Sequence, residues 1–143
     1  MLYEKMNYLC EDARLIREEV FMKEQGFTDE FDDIDNLATH IVFYESTIPI
    51  ATCRYYKGTN TDEYIAGRIA IRKDYRGKHL GNLIMKVLED NIISEGGKLI
   101  SLSAQLQAKQ FYEKNGYTAL GEPYLDEYCQ HIHMEKPLKG WKD

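Results

Sequence analysis

No stretch of this 143-residue chain is apolar for long enough to cross a membrane as a helix. Its opening, Met1-Leu-Tyr-Glu-Lys5, lacks the basic-then-apolar pattern of a signal peptide, so the expectation is a soluble, cytoplasmic protein. Cysteine is scarce. Cys10, Cys53 and Cys129 are odd in number, far apart and without a C-x-x-C pair, which argues against a disulfide framework or a zinc knuckle. Repeats, low-complexity tracts and long linkers are missing, and the length gives room for one domain with one core. The chain also lacks an excess of positive charge. Its net charge of −6 argues against general nucleic-acid binding and leaves no basis for expecting a membrane surface as partner. A Ser–His–Asp arrangement for nucleophilic catalysis is absent as well.

The charge that is present is unevenly placed. Residues 1–35 carry eleven Asp/Glu against four Lys/Arg, a local net of −7. Residues 68–81 carry Arg68, Arg72, Lys73, Arg76 and Lys78 against Asp74, a local net of +4. An acidic chain has gathered its positive charge at one place. There an apolar strand pattern runs into a short basic turn with Gly77 and Gly81, and the turn opens a helix at Leu80. Amides that precede a helix's first internal bond, together with its positive dipole end, suit phosphate oxygens. The other reading is a basic strand-to-helix turn with no ligand.

Periodicity sketches the remaining elements. Leu9, Ala13, Ile16 and Val20 predict a helix over residues 8–24, stopped by Gly26, with Asp29 to Asp35 following as a solvated acidic loop. Ile41–Tyr44 and Ile50–Tyr56 predict an antiparallel hairpin, and Tyr64–Ile71 a third strand. Leu80, Ile84, Val87, Leu88 and Ile92 share a helix face over residues 80–94, stopped by Gly96-Gly97. Leu99–Leu102 predicts a buried strand, Gln107–Lys114 a helix and His131–Met134 a last strand. The succession describes an α+β sheet with helices covering its faces.

The turn Arg76-Gly-Lys-His-Leu-Gly81 resembles the Arg/Gln-x-x-Gly-x-Gly/Ala phosphate turn of the GNAT superfamily of acetyl-CoA-dependent N-acetyltransferases. Gln105-Leu-Gln-Ala-Lys-Gln-Phe-Tyr112-Glu-Lys-Asn-Gly-Tyr117 resembles the same family's later motif, in the expected order. The chain is similar further to the ElaA-like branch. It shares Arg17-x-x-Val-Phe-x-x-Glu-Gln25, Asp35-x-x-x-x-His40, Thr52-x-Arg54, Gly67-Arg68, Ala104-Gln105, Gly121-Glu122 and His131-Ile-His-Met134. Two departures stand out: His79 replaces the turn's first glycine, and Gln105 replaces the usual asparagine.

The resemblance implies one N-acetyltransferase domain over residues 1–143, a mixed, mostly antiparallel central sheet flanked by helices, and acetyl-CoA as donor substrate without a metal. It implies that Arg76, Gly77, Lys78, His79, Leu80, Gly81 and Asn82 hold the donor's diphosphate. Ile69, Ala70, Ile71 and Gln105 would bind its pantetheine side, where the strand Gly67–Ile71 splays from Leu99–Ser103. Tyr112 matches the family's tyrosine acid, suited to protonating a departing thiolate. The acceptor would be a primary amine of a small molecule or protein, and the resemblance allows a homodimer. A lysine-like amine costs about 4.6 kcal/mol to deprotonate at pH 7, so a base or a water chain must serve it.

His131 is the preferred base among Glu24, Asp33, Asp35, His40, Glu122, His131 and His133, with water-mediated transfer an equal route. On a strand His131 and His133 would share a face. Arg17, Arg54 and Arg68 either hold a substrate carboxylate or pair with the acidic loop, whose charge could also draw in a cationic amine. That loop does not fit an EF-hand, since counting from Asp33 places Ala38 where glycine belongs. Two other readings are a non-catalytic acyl-CoA sensor module and a metal site using His40, Cys129, His131 and His133, although their spacing matches no closed zinc site.

Overall fold

The computed structural model describes residues 1–138; the last five residues of the expected 1–143 domain, 139–143, lie outside the described residues. A seven-stranded sheet organises the chain, in the order β1-β2-β3-β4-β5-β7-β6. The strands are β1 (Leu2–Met6), β2 (Thr39–Glu45), β3 (Ile48–Lys57), β4 (Glu63–Ile71), β5 (Leu99–Gln105), β6 (Thr118–Asp126) and β7 (Cys129–Pro137). The α-helices are α1 (Glu11–Arg17), α2 (Leu80–Ser94) and α3 (Lys109–Lys114). The pairs β1–β2, β2–β3, β5–β7 and β6–β7 are antiparallel, and β4–β5 is parallel. This is the α+β class with a mostly antiparallel sheet that the sequence predicts.

Two compact units divide the chain: Met1–Tyr56 with Gly67–Ile84, and Lys57–Ala66 with the residues from Met85 onward. In the first, Ala13, Ile16, Val20 and Phe21 turn inward and α1 lies against β2, where the Tyr44 hydroxyl donates to Asp12 at 2.6 Å. The helix expected over residues 8–24 changes register partway. After Arg17 it continues as a π-helix over Glu18–Glu24, with the Gln25 amide bonding back to the Val20 carbonyl at 3.2 Å. Val20 and Phe21 are both buried in this wider turn.

Helix α2 begins and ends where its apolar spacing predicts, and Ile84, Leu88 and Ile92 are fully buried. It stops at Gly96, which takes the left-handed region at φ +95°, and the next residue must be glycine because a Cβ at Gly97 would lie 2.3 Å from the Ile92 side chain and 2.7 Å from Tyr64. Glu63, the first residue of β4, is buried, and its carboxylate accepts the Ser101 hydroxyl at 2.5 Å. The predicted Gln107–Lys114 helix forms as a 3-10 turn, Leu106–Ala108, followed by α3. Two strands are absent from the sequence prediction, β1 and β6. Both lie at sheet edges and expose most of their residues, so neither carries an apolar alternation to read.

Candidate active site

The turn is built by local backbone choices. β4 ends at Ile71, Lys73–Tyr75 form a 3-10 turn, and α2 starts at Leu80. Between them Gly77 has φ +79° and His79 φ +59°, both left-handed. Glycine takes that region without penalty, whereas a residue with a Cβ loses roughly 1–2 kcal/mol there. His79 therefore holds a backbone shape that glycine takes freely, at some cost in strain. The first bond of α2 joins the Leu83 amide to the His79 carbonyl at 3.4 Å, so the Leu80 and Gly81 amides come before it and point out of the helix end. Residues 76–79 are exposed. His79 and Lys78 line a shallow pocket of about 110 Å3 with Met1, Tyr75, Leu80 and Leu83, and the Lys78 ammonium stands 5.9 Å from the Tyr75 ring centre.

The guanidinium of Arg76 is already engaged. It clasps Glu24 with N–O distances of 2.5 and 2.8 Å, and this hydrogen-bonded partner holds the Glu24 carboxyl below its ordinary range. Ile69, Ala70 and Ile71 follow Arg68, which has φ +50° inside β4. A left-handed residue within a strand re-aims what comes after it. It follows directly on the parallel pairing with β5, which runs from Glu63–Leu99 to Ala66–Leu102.

The acidic segment is not a solvated loop. Glu30 and Asp35 are each only 5% exposed, and Arg17 1%. Arg17 bonds Glu30 and Asp35, both at 2.8 Å; Arg54 bonds Asp32 and Asp35, both at 2.7 Å. Arg68 reaches Glu30 at 2.9 Å and Asp32 at 3.3 Å. The pairing reading therefore holds for all three arginines, because each already carries carboxylate partners from this chain. Burial raises Asp35, but the bonds from Arg17 and Arg54 outweigh it and bring the carboxyl down to about 2. Burial dominates at Glu30 and pushes it up despite Arg68 and Arg17. His40 is buried, its Nε2–H donating to the Asp35 carbonyl at 3.0 Å, and burial lowers its pKa.

In the second unit β5, β7 and β6 align the remaining candidates. Gln105 is directly opposite His131, and Tyr124 is opposite it on the other side; Ser103 and Leu120 flank His133 likewise. Residues directly opposite share a face, so the two histidines do stand on one face, together with Gln105. The His131 Nδ1–H donates to the Cys129 carbonyl at 3.0 Å, which makes Nε2 the accepting nitrogen of the neutral ring. Tyr124 stacks on His131, centroids 6.2 Å apart and planes 23° apart, and its hydroxyl contacts the Ser103 hydroxyl. Reading the sequence missed Tyr124 because β6 has no pattern to announce it.

Tyr112 lies on α3 rather than in that row, packed edge-on against Phe111 at 5.1 Å and Tyr117 at 5.8 Å. Tyr117 is buried and donates to Glu89 at 2.8 Å; burial pushes its phenol far up. Among the described residues no group of three or more His, Cys, Asp or Glu is placed to hold a metal ion. No helix among them is long and apolar enough to cross a membrane.

The acetyltransferase (GNAT) domain family matches residues 9–138. The chain belongs to the GNAT acetyltransferases. It is 37% identical over 128 residues to the uncharacterized N-acetyltransferase YjcF of Bacillus subtilis, covering 87% of this chain and 90% of that one. Escherichia coli ElaA superposes with a TM-score of 0.84 at 21% identity, over 94% of this chain and 98% of its own. An aminoglycoside 6'-N-acetyltransferase solved with coenzyme A superposes with a TM-score of 0.77 at 12% identity, over the whole of both chains. These two likenesses concern the fold. As a GNAT acetyltransferase the chain is an acyltransferase enzyme.

Proposed function

We propose that residues 1–143 act as one N-acetyltransferase domain that takes an acetyl group from acetyl-CoA and delivers it directly to a primary amine of a small molecule or protein, without a covalent enzyme intermediate. The turn carries this reading. Gly77 and His79 bend the chain so that outward amides and a helix dipole meet beside the exposed residues 76–79, which suits a diphosphate. The GNAT neighbour solved with coenzyme A supports the same donor. Bound there, acetyl-CoA supplies an activated thioester.

The chain's own groups then handle protons. The amine must lose one before its nitrogen bonds the acetyl carbon, and His131 accepts it at Nε2, the nitrogen left basic by the Cys129 carbonyl. As the carbon–sulfur bond breaks, the Tyr112 hydroxyl donates its proton to the departing sulfur. Gln105 and the backbone of Ile69–Ile71 orient the donor. Amine-dependent release of free thiol from acetyl-CoA, measured across a panel of small amines and lysine peptides, tests the reading. Release with at least one acceptor is expected; coenzyme A binding with no release from any acceptor would favour the sensor module instead.

A further inference from the structure

The fork of Arg76, the first residue of the turn motif, is filled by a carboxylate from the chain itself. Nη1 lies 2.5 Å from Glu24 Oε2, Nη2 lies 2.8 Å from Oε1, and Nε donates to the Ile71 carbonyl at 2.9 Å. A carboxylate and a phosphate present the same two-oxygen edge to a guanidinium. Glu24 comes from the end of the π-helix, 52 positions away in sequence.

We propose that Glu24 sets donor affinity: its carboxylate occupies Arg76 as an internal stand-in for phosphate, and the diphosphate of an acyl-CoA reaches the fork only by displacing it. This deepens the donor-site reading of the turn and rests on it. Three observations favour exchange over a purely structural pair. Glu24 and Arg76 are each more than a third exposed, and exposed pairs open at little cost. The π-helix has other anchors, since Val20 and Phe21 are buried and Glu19 holds Arg72 at 3.0 Å. Glu24 also sets its negative charge on Arg76, the residue that opens the turn assigned to an anion.

Calorimetric titration with coenzyme A, on wild type, Glu24→Gln, Arg76→Gln and the double variant, tests this. Glu24→Gln should tighten binding, by up to about fivefold for an exposed pair. That gain should vanish in the Arg76→Gln background, because Glu24 then has no fork to block. Unchanged or weaker binding by Glu24→Gln would overturn the proposal, since Glu24 would then be neutral or would position Arg76 for phosphate. A gain that survives without Arg76 would also overturn it, as an effect of bulk charge. A wild type that binds no coenzyme A would remove the donor-site reading itself, a different failure from either.

Discussion

The carboxylate of Asp35 lies 2.7 Å from the Arg54 guanidinium, and both side chains are buried. Arg17 holds the same Oδ1 at 2.8 Å, so one acid balances two arginines from different elements. Asp35→Asn would leave both cations without that charge, and losing one partner of a buried pair costs about 3–5 kcal/mol. Chemical denaturation should register a loss of that size.

The same carboxylate gives the fold an acid limit. Its pKa falls from 3.8 unfolded to about 2 folded, so its stabilisation is present above pH 4 and lost as pH drops toward 2. The lost stability is about 2 kcal/mol. Glu30, raised by burial, acts in the opposite sense, because it binds its proton more readily in the folded state than in the unfolded one. Denaturant midpoints measured between pH 4 and 2 should fall steeply for wild type and less for Asp35→Asn.

The acidic segment shows where a sequence stops being legible. Composition predicts a solvated loop, because nothing local marks Glu30 and Asp35 as buried. Their partners Arg17, Arg54 and Arg68 arrive from α1, β3 and β4, and only the tertiary fold brings them together. By contrast α2 is read to the residue, since Ile84, Leu88 and Ile92 keep one face and Gly96-Gly97 punctuate its end. The strand-to-helix turn over residues 72–80 is equally legible, because its backbone shape depends on consecutive residues. Arg76's engagement with Glu24 is not, being another long-range pairing.

Tyr112→Phe keeps the ring that packs on Phe111 and Tyr117 and removes the hydroxyl. Turnover should fall about a hundredfold or more, the usual contribution of a positioned acid, while coenzyme A affinity holds. Unaltered turnover would remove Tyr112 from the chemistry.

Tyr124→Ala removes the ring stacked on His131 and leaves the Nδ1 bond to Cys129 in place. With the imidazole less fixed, thiol release should slow about tenfold, a loss of roughly 1.4 kcal/mol of positioning. His131→Gln should be slower still, because it removes the accepting nitrogen altogether. Equal rates for wild type and both variants would assign the amine's proton to water.

Gly81 sits in the first turn of α2, beside the amides assigned to the diphosphate. Gly81→Val should weaken coenzyme A binding about tenfold or more, equivalent to 1.4 kcal/mol, with the thermal transition still cooperative. Equal affinity would mean that the turn does not approach the ligand closely.

Calorimetric titration of wild type with acetyl-CoA, set beside S-acetyl-pantetheine, tests the central claim most directly, because the two share the thioester and differ in the nucleotide diphosphate. Saturable one-to-one binding of acetyl-CoA, with S-acetyl-pantetheine weaker by at least a hundredfold (about 2.7 kcal/mol), is the predicted result. Equal affinities, or no binding of acetyl-CoA, would contradict it.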